Sequence, residues 1–471
     1  MEQVLTSRQK ALEINLNHDI YGTFAEIGAG QETVRNFFRA GASSGTIAKA
    51  MSAYDKTFSD AIYGAEPKGR YVTEHRLKKM INFEAQLLVE RLPRDKYPTQ
   101  CFFSYANTVT TINYTKTHKG HGFLGIRFQL SPDEDFNEII LHVRFHENRA
   151  DLQQMTVGAM GTNLIYGAFY YYDNPKKLLL SLYDNIAKDQ IEIDMINFSG
   201  PRFAYVDNRL MSLQLVKNNF TNAVIFSPDG QNLLPDDLLY KKNVLALRGS
   251  FRPVTRLNID MLECGYSKFL EKNNLQPESV VTLFEITLSN LIATGNINER
   301  DFLDRADILC SLGHTVLISN YSEYYKLSEY FSSLTNGKLG LVLGVNNLVE
   351  IFNEEYYTNL SGGVFEAFGK LFTKDLEILL YPYISKKDGK LLDSTNLEID
   401  EKVQGLYKYL IENHQITDLT NCNQGHLKIY ARQILEQIAN GENGWEDLLP
   451  EGVARQIKRD GMFGYKKHFE I

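Results

Sequence analysis

One tryptophan in 471 residues is the sharpest shortage in this sequence, and it stands beside 27 tyrosines and 27 phenylalanines. Rings in that number fill cores or subunit interfaces before they stack on ligands. Cysteine is scarce too: Cys101, Cys264, Cys310 and Cys422 are widely scattered and form no Cys-x-x-Cys pair. Such spacing offers neither a disulfide framework nor a metal knuckle, so reduced thiols, no metal site and a cytoplasmic setting are expected. Basic clusters are missing beyond Arg76-Leu77-Lys78-Lys79 and Lys241-Lys242, and the net charge is -8. Nucleic acid is thereby disfavoured as a partner, because neutralising phosphates takes a concentrated basic surface. Long apolar runs are absent as well: 178–182 and 339–345 fall far short of the roughly 18 residues that a membrane helix needs. Residues 1–10 are polar, without the apolar stretch of a secretory signal, so neither export nor a membrane is expected.

What remains is an ordinary globular mixture, 43% hydrophobic and 23% charged, long enough for two or three packed units. Residues 1–95 read mainly helical, broken by turns at Gly28-Ala29-Gly30 and Gly41-Ala42-Ser43-Ser44-Gly45. Leu77, Ile81, Phe83, Leu87 and Leu88 recur near helical spacing, and Pro93 closes a helix over 74–92. From Thr99 the period becomes two. Runs at 101–109, 122–130 and 138–145, the last two joined by Ser131-Pro132-Asp133-Glu134-Asp135, predict an antiparallel hairpin. Helices are expected over 151–172 and 175–187.

After residue 190 the runs 191–198, 222–227, 243–248, 280–288, 315–320, 338–344 and 376–381 alternate with helix-like segments such as 208–218 and 299–312. Their starts lie roughly 20 to 40 residues apart, the length of a β-α unit. With 139–145 counted first there are eight, the number that closes a (β/α)8 barrel, although an open doubly wound parallel sheet uses the same units. The expected α/β chain therefore has a helical N-terminal region (1–95), a hairpin plus strand-helix core (96–385) and a helical C-terminal appendage (386–471).

Chemistry-bearing residues collect in two places. His118, His121, His142 and His146 fall near the hairpin, and alternation puts His142, Arg144 and His146 on one strand face, opposite Gly125, Arg127 and Gln129. That face is either an anion site with catalytic imidazoles, His142 and His146 acting as acid/base groups and Arg144 holding the substrate, or a solvated sheet surface. In the strand-helix region, sites form at the C-terminal ends of strands. This selects Asn197, Ser199, Asp229, Arg248 with Arg252, Glu285 with Thr287, Asn320 with Glu323, and Asn346. Arg248 and Arg252 flank Gly249 and are suited to clamp a phosphate or carboxylate. Glu285 lies in an apolar run, where a carboxylate must be paired or used, as general base or in an ion pair with Arg248. Glu192 and Asp194 share a face suited to a divalent cation or to solvent. Gly28-Ala29-Gly30-Gln31-Glu32-Thr33 begins like a dinucleotide fingerprint but has Thr at its third glycine, with no clear βαβ unit around it, while residues 41–49 read as small residues opening a helix or as a tight turn. No cofactor is named by any of these.

Tyr21-Gly22-Thr23-Phe24-Ala25-Glu26-Ile27-Gly28-Ala29-Gly30-Gln31-Glu32, Gly45-Thr46-Ile47-Ala48-Lys49, Ser52-Ala53-Tyr54-Asp55, Asn163-Leu164-Ile165-Tyr166-Gly167-Ala168-Phe169-Tyr170 and Leu317-Ile318-Ser319-Asn320-Tyr321 resemble segments of a bacterial family found in Bacteroidetes-like and cyanobacterial proteins of about this length. Its members are labelled nicotinate-nucleotide adenylyltransferase or TonB-dependent receptor. The first label implies phosphate-stabilising histidines, and His118-Lys119-Gly120-His121 spells the H-x-G-H of nucleotidyltransferases. That family sets the motif after an opening strand with a Gly-x-Phe-x-Pro turn and adds a later Ser/Thr-rich segment ending in Arg; neither element is read here. The second implies an exported β-barrel, against which the strand-helix alternation stands. Two functions are expected: an enzyme-like protein binding a small anionic, nucleotide or phosphorylated metabolite, or a non-catalytic homo-oligomeric protein built on its tyrosine-rich stretches.

Overall fold

The computed structural model describes residues 4–66, 69–292, 295, 297–373 and 376–466, so the first three residues of the polar N-terminal stretch lie outside it. The chain divides into two compact units, Met1–Thr221 and Asn222–Ile471. The boundaries expected near 95 and 385 both fall inside a unit.

The first unit runs α1 (Ser7–Leu16), β1 (Ile20–Gly28), α2 (Glu32–Ala40), β2 (Ile47–Met51), α3 (Lys56–Tyr63), α4 (Glu74–Arg91), β3 (Cys101–Thr110), β4 (His121–Phe128), β5 (Asn137–Phe145), α5 (Ala150–Tyr170), α6 (Pro175–Ser181), β6 (Ile191–Ser199) and α7 (Asn208–Lys217). Among the described residues its sheet has six strands in the order β2-β1-β3-β4-β5-β6. β1 pairs parallel with β2 and β3, while β3, β4, β5 and β6 are successively antiparallel. One expectation is corrected here. The N-terminal region is not all helix, because β1 and β2 are strands, and β1-α2-β2 is a βαβ unit. Of the two readings of 41–49 the tight turn is the one found: a single 3-10 turn at Ser43–Gly45, preceded by Asn15 Nδ2 donating to Phe37 O and Gly41 O, delivers the chain into β2 rather than into an α-helix. α4 ends as the proline pattern requires, with Thr73 Oγ1 capping Arg76 N (3.1 Å) at its start. α5, apolar around most of its girth, is buried along most of its length.

The second unit runs β7 (Ala223–Phe226), β8 (Asn232–Leu233), α8 (Pro235–Leu239), β9 (Asn243–Arg248), α9 (Arg256–Asn273), β10 (Val280–Thr287), α10 (Leu288–Ile292), α11 (Glu299–Ser311), β11 (Thr315–Ser319), α12 (Tyr324–Leu334), β12 (Leu339–Gly344), α13 (Val345–Ile351), α14 (Gly363–Leu371), β13 (Leu376–Tyr381), β14 (Tyr383–Ile384), β15 (Leu391–Leu392), α15 (Gln404–Glu412), β16 (Ile416–Asp418), α16 (Ala431–Asn440) and α17 (Val453–Asp460). Its main sheet is open, in the order β16-β13-β12-β9-β10-β11-β7-β8. From β16 to β11 all pairings are parallel, and β7 and β8 close one edge antiparallel. No closed barrel forms: two of the eight runs counted toward it, 139–145 and 191–198, belong to the first unit's antiparallel strands. The open doubly wound alternative is the fold of this unit. Its strands are buried on both faces, Leu245, Leu247, Val342, Ile378 and Leu380 among them, as helices covering both sides require.

Candidate functional site

In a doubly wound sheet the chain leaves the first strand to one side and later crosses to the other, and ligands lie outside the carboxyl ends where that reversal occurs. Here the first parallel strand is β9, with β10 on one side and β12 on the other. The β9–α9 connection reads Gly249-Ser250-Phe251-Arg252-Pro253, so the Gly-x-Phe-x-Pro turn missed along the sequence is present, after the opening parallel strand. Its geometry explains the spelling. A Cβ on Gly249 would stand 2.8 Å from the Phe251 ring, and Phe251 itself, at φ 46°, is buried edge-to-face on Phe284 (4.9 Å). A phenylalanine held in the left-handed region is the strained backbone that clusters at functional sites. Asn290 Nδ2 donates to Gly249 O (3.1 Å) and Arg305 Nη1 to Ser250 O (3.0 Å), fixing the turn. No histidine lies in the turn or in α9; Thr255 and Asn258 cap the helix instead, with Thr255 N donating to Asn258 Oδ1 (2.9 Å).

The helix that follows this turn, α9, and the ends of β12 and β13 line a cavity of about 320 Å³. Leu257 and Met261 of α9 form an apolar wall, and Asn346, Asn347, Tyr383, Lys386, Tyr430 and Arg432 supply amides, rings and cations. Lys386 Nζ sits 3.8 Å from the centre of the Tyr430 ring. Of the positions selected by the strand-end rule, Asn346 reaches this crevice.

The structure pairs the residues of the expected clamp with carboxylates. Arg248 donates from Nε and Nη2 to Glu285 (2.8 and 3.0 Å), from Nη1 to Ser322 O (2.8 Å), and stacks on Tyr324 (4.2 Å). Glu285, wholly buried, also accepts from Ser319 Oγ (2.5 Å). Arg252 is held by Asp301, which also takes Arg305. Burial opposes the charge on Arg248, but Glu285 outweighs it and holds the guanidinium above its ordinary range. Asn320 follows β11 and donates from its backbone to Asn222 O (2.8 Å).

The hairpin face belongs to the first unit. His142, buried between β4 and β6, donates from Nδ1 to Asp194 Oδ1 (2.5 Å) and shares a hydrogen bond through Nε2 with His121 Nδ1 (3.1 Å). Arg144 Nε donates to Asp194 Oδ2 (2.6 Å). Burial raises the cost of ionising Asp194, yet His142 and Arg144 outweigh it and keep the carboxylate well below its usual range. His146 lies at the exposed end, 3.5 Å from Glu192, whose own pKa is raised first by burial and then by Asp194. Asp194 and Glu192 thus serve the imidazoles and arginine of this face. His118 stands in the loop before β4, its backbone N donating to Asn113 Oδ1 (3.1 Å). Sequence reasoning passed over Glu26, buried at the end of β1, which caps α2 by accepting from Val34 N (3.3 and 3.4 Å) and is pushed up to about 8 by burial.

The second unit is thus an open doubly wound α/β domain with a crevice at its strand reversal. No family model matches the chain, and no curated protein matches it. Solved structures that resemble parts of it include the competence/damage inducible protein CihA from Agrobacterium tumefaciens, 12% identical, covering 35% of this chain and 97% of that one at a TM-score of 0.25. A competence-damaged protein (CinA) superfamily member from Escherichia coli is 11% identical over 38% of this chain and 95% of that one, TM-score 0.24. Nicotinic acid mononucleotide adenylyltransferase from Plasmodium falciparum, complexed with APC, is 12% identical over 48% and 98%, TM-score 0.29. Likenesses at these scores assign no residue and no reaction.

Proposed function

We propose that this chain is an enzyme-like protein whose second unit binds a small anionic metabolite of the nucleotide class in the crevice between α9 and the ends of β12 and β13. The observation that carries the reading is the coincidence, at the strand reversal, of an aromatic and apolar wall with two cations. Tyr383 and Tyr430 offer stacking surfaces, Lys386 and Arg432 offer charge to phosphate, and Asn346 and Asn347 offer amides for sugar or base. Arg248 and Arg252 serve as supports in this reading, since each already has a carboxylate, and Glu285 is the counter-ion that fixes Arg248.

Adenylyl transfer, which the sequence resemblance implies, gains support from the Gly-x-Phe-x-Pro turn and loses it from the missing histidines: His118 and His121 belong to the other unit. Binding is therefore the better-supported half of that label. The self-association alternative loses the tyrosine stretch at 321–325, where Tyr324 and Tyr325 are buried, and keeps Tyr170 and Tyr356, which are exposed. A thermal-shift screen of the full chain against nucleoside monophosphates, nucleoside triphosphates, dinucleotides and inorganic phosphate tests the reading. A nucleotide that raises the melting point of the wild type but not of Lys386→Glu supports it; nucleotides that leave the melting point unmoved refute it.

A further inference from the structure

The first turns of α9 carry Asp260 and Cys264, four residues apart and so on one helix face, and the segment after β16 carries Cys422 and His426 at the same spacing. The fold brings the two pairs together. Three of the four already stand together: one ligand atom from each of Asp260, Cys264 and Cys422 lies within 4.8 Å of the others, and His426 stands outside that trio, beside Asp260. His426 Nδ1 is 3.9 Å from Asp260 Oδ1 and is buried without a hydrogen-bond partner. A buried ring nitrogen left unpaired costs free energy unless something accepts its lone pair or its proton, and a cation among these four side chains would do so.

We propose that Asp260, Cys264, Cys422 and His426 form a binding site for a zinc-class dication. The donor set is selective: two thiolates and an imidazole suit zinc, whereas magnesium and calcium take oxygen ligands. Closure of His426 onto the trio gives four protein ligands, the number of a structural rather than a catalytic site. The supporting groups are in place. Tyr381 OH and the backbone N of Asn423 (3.1 Å) donate to Asp260 Oδ2, orienting the carboxylate, and the Asn423 side chain meets His426 Nε2 at 3.4 Å. The consequence is mechanical: the ion would tie α9 to the segment that continues into Leu427 and Ile429, so one wall of the crevice would be fastened by metal. The site stands independently of what the crevice binds.

The test uses the full chain, purified under reductant without chelator. About one zinc per chain by elemental analysis, and a thiolate-to-metal charge-transfer band with tetrahedral ligand-field bands on Co²⁺ substitution, are expected. Cys264→Ser and Cys422→Ser should each lose the band, and His426→Ala should weaken Co²⁺ binding at least tenfold. Wild-type chain that takes up neither Zn²⁺ nor Co²⁺, or in which these two cysteines are recovered as a disulfide with no metal, overturns the proposal without reliance on any variant. Binding that survives loss of both thiols overturns it as well.

Discussion

At the scale of single residues, two buried carboxylates on the first unit's sheet are driven in opposite directions. Asp194 faces His142 and Arg144 and is held ionised, so its stabilisation is present above the ordinary carboxylate range and is lost as pH falls through its lowered native value. Asp194→Asn removes the buried charge that both His142 and Arg144 face, and should cost about 3–5 kcal/mol in denaturant unfolding at pH 7. A change within about 0.5 kcal/mol would mean the pair is idle. Glu26 has no counter-ion among the described residues; its partners are the backbone of Val34 and Thr33, the Thr33 hydroxyl and the Asn107 amide. The unfolded chain releases this proton near 4.5 while the native state keeps it to about 8, so its contribution to stability falls as pH rises across that window. Glu26→Gln should flatten the pH profile of the melting point between these limits, and a mutant profile parallel to wild type would contradict the assignment.

At the scale of elements, the β9-β10-β11 triad is cross-tied by charge: Arg248 from β9 and Ser319 from β11 both reach Glu285 on β10. Arg248→Met and Glu285→Leu should each destabilise by about 3–5 kcal/mol, while the double replacement recovers most of the loss, because an apolar pair leaves no stranded charge. Equal and additive losses would instead indicate separate roles. The strand edges of this unit were legible because fully buried parallel strands read as short apolar runs: 243–248 and 376–381 match β9 and β13. β1 was not legible. Although buried on both faces from Gly22 to Ile27, it carries Gly22, Thr23 and Glu26, which break the apolar run, and its partners β2 and β3 follow only after α2 and α4. Strand 191–198 was read correctly as a strand but assigned to the wrong sheet, since pairing with β5 is a nonlocal choice that periodicity does not encode. The stretch 248–252 stands out in the sequence for its arginines, whereas its Gly-x-Phe-x-Pro spelling is obscured because the histidines that go with that turn, His118 and His121, lie far upstream. Asp260/Cys264 and Cys422/His426 are not marked by a Cys-x-x-Cys pattern, being spaced by four and separated by more than 150 residues.

For the whole molecule, the division at Thr221 gives each unit its own sheet. A chain comprising residues 222–471 should unfold cooperatively and keep its nucleotide-dependent shift in melting point; a fragment that is unfolded, or folded but unresponsive, would show that binding needs residues before 222. Net charge of -8 makes local placement of cations decisive for binding an anion, and Lys386 and Arg432 are placed where rings and strand ends also converge. The most direct measurement is photo-crosslinking of the full chain with an azido-nucleotide, followed by peptide mapping. Label confined to the peptides carrying Tyr383–Lys386 and Tyr430–Arg432, and competed by unmodified nucleotide, is the predicted result. Competed label that maps to the hairpin histidines, or to no crevice peptide, would contradict the account.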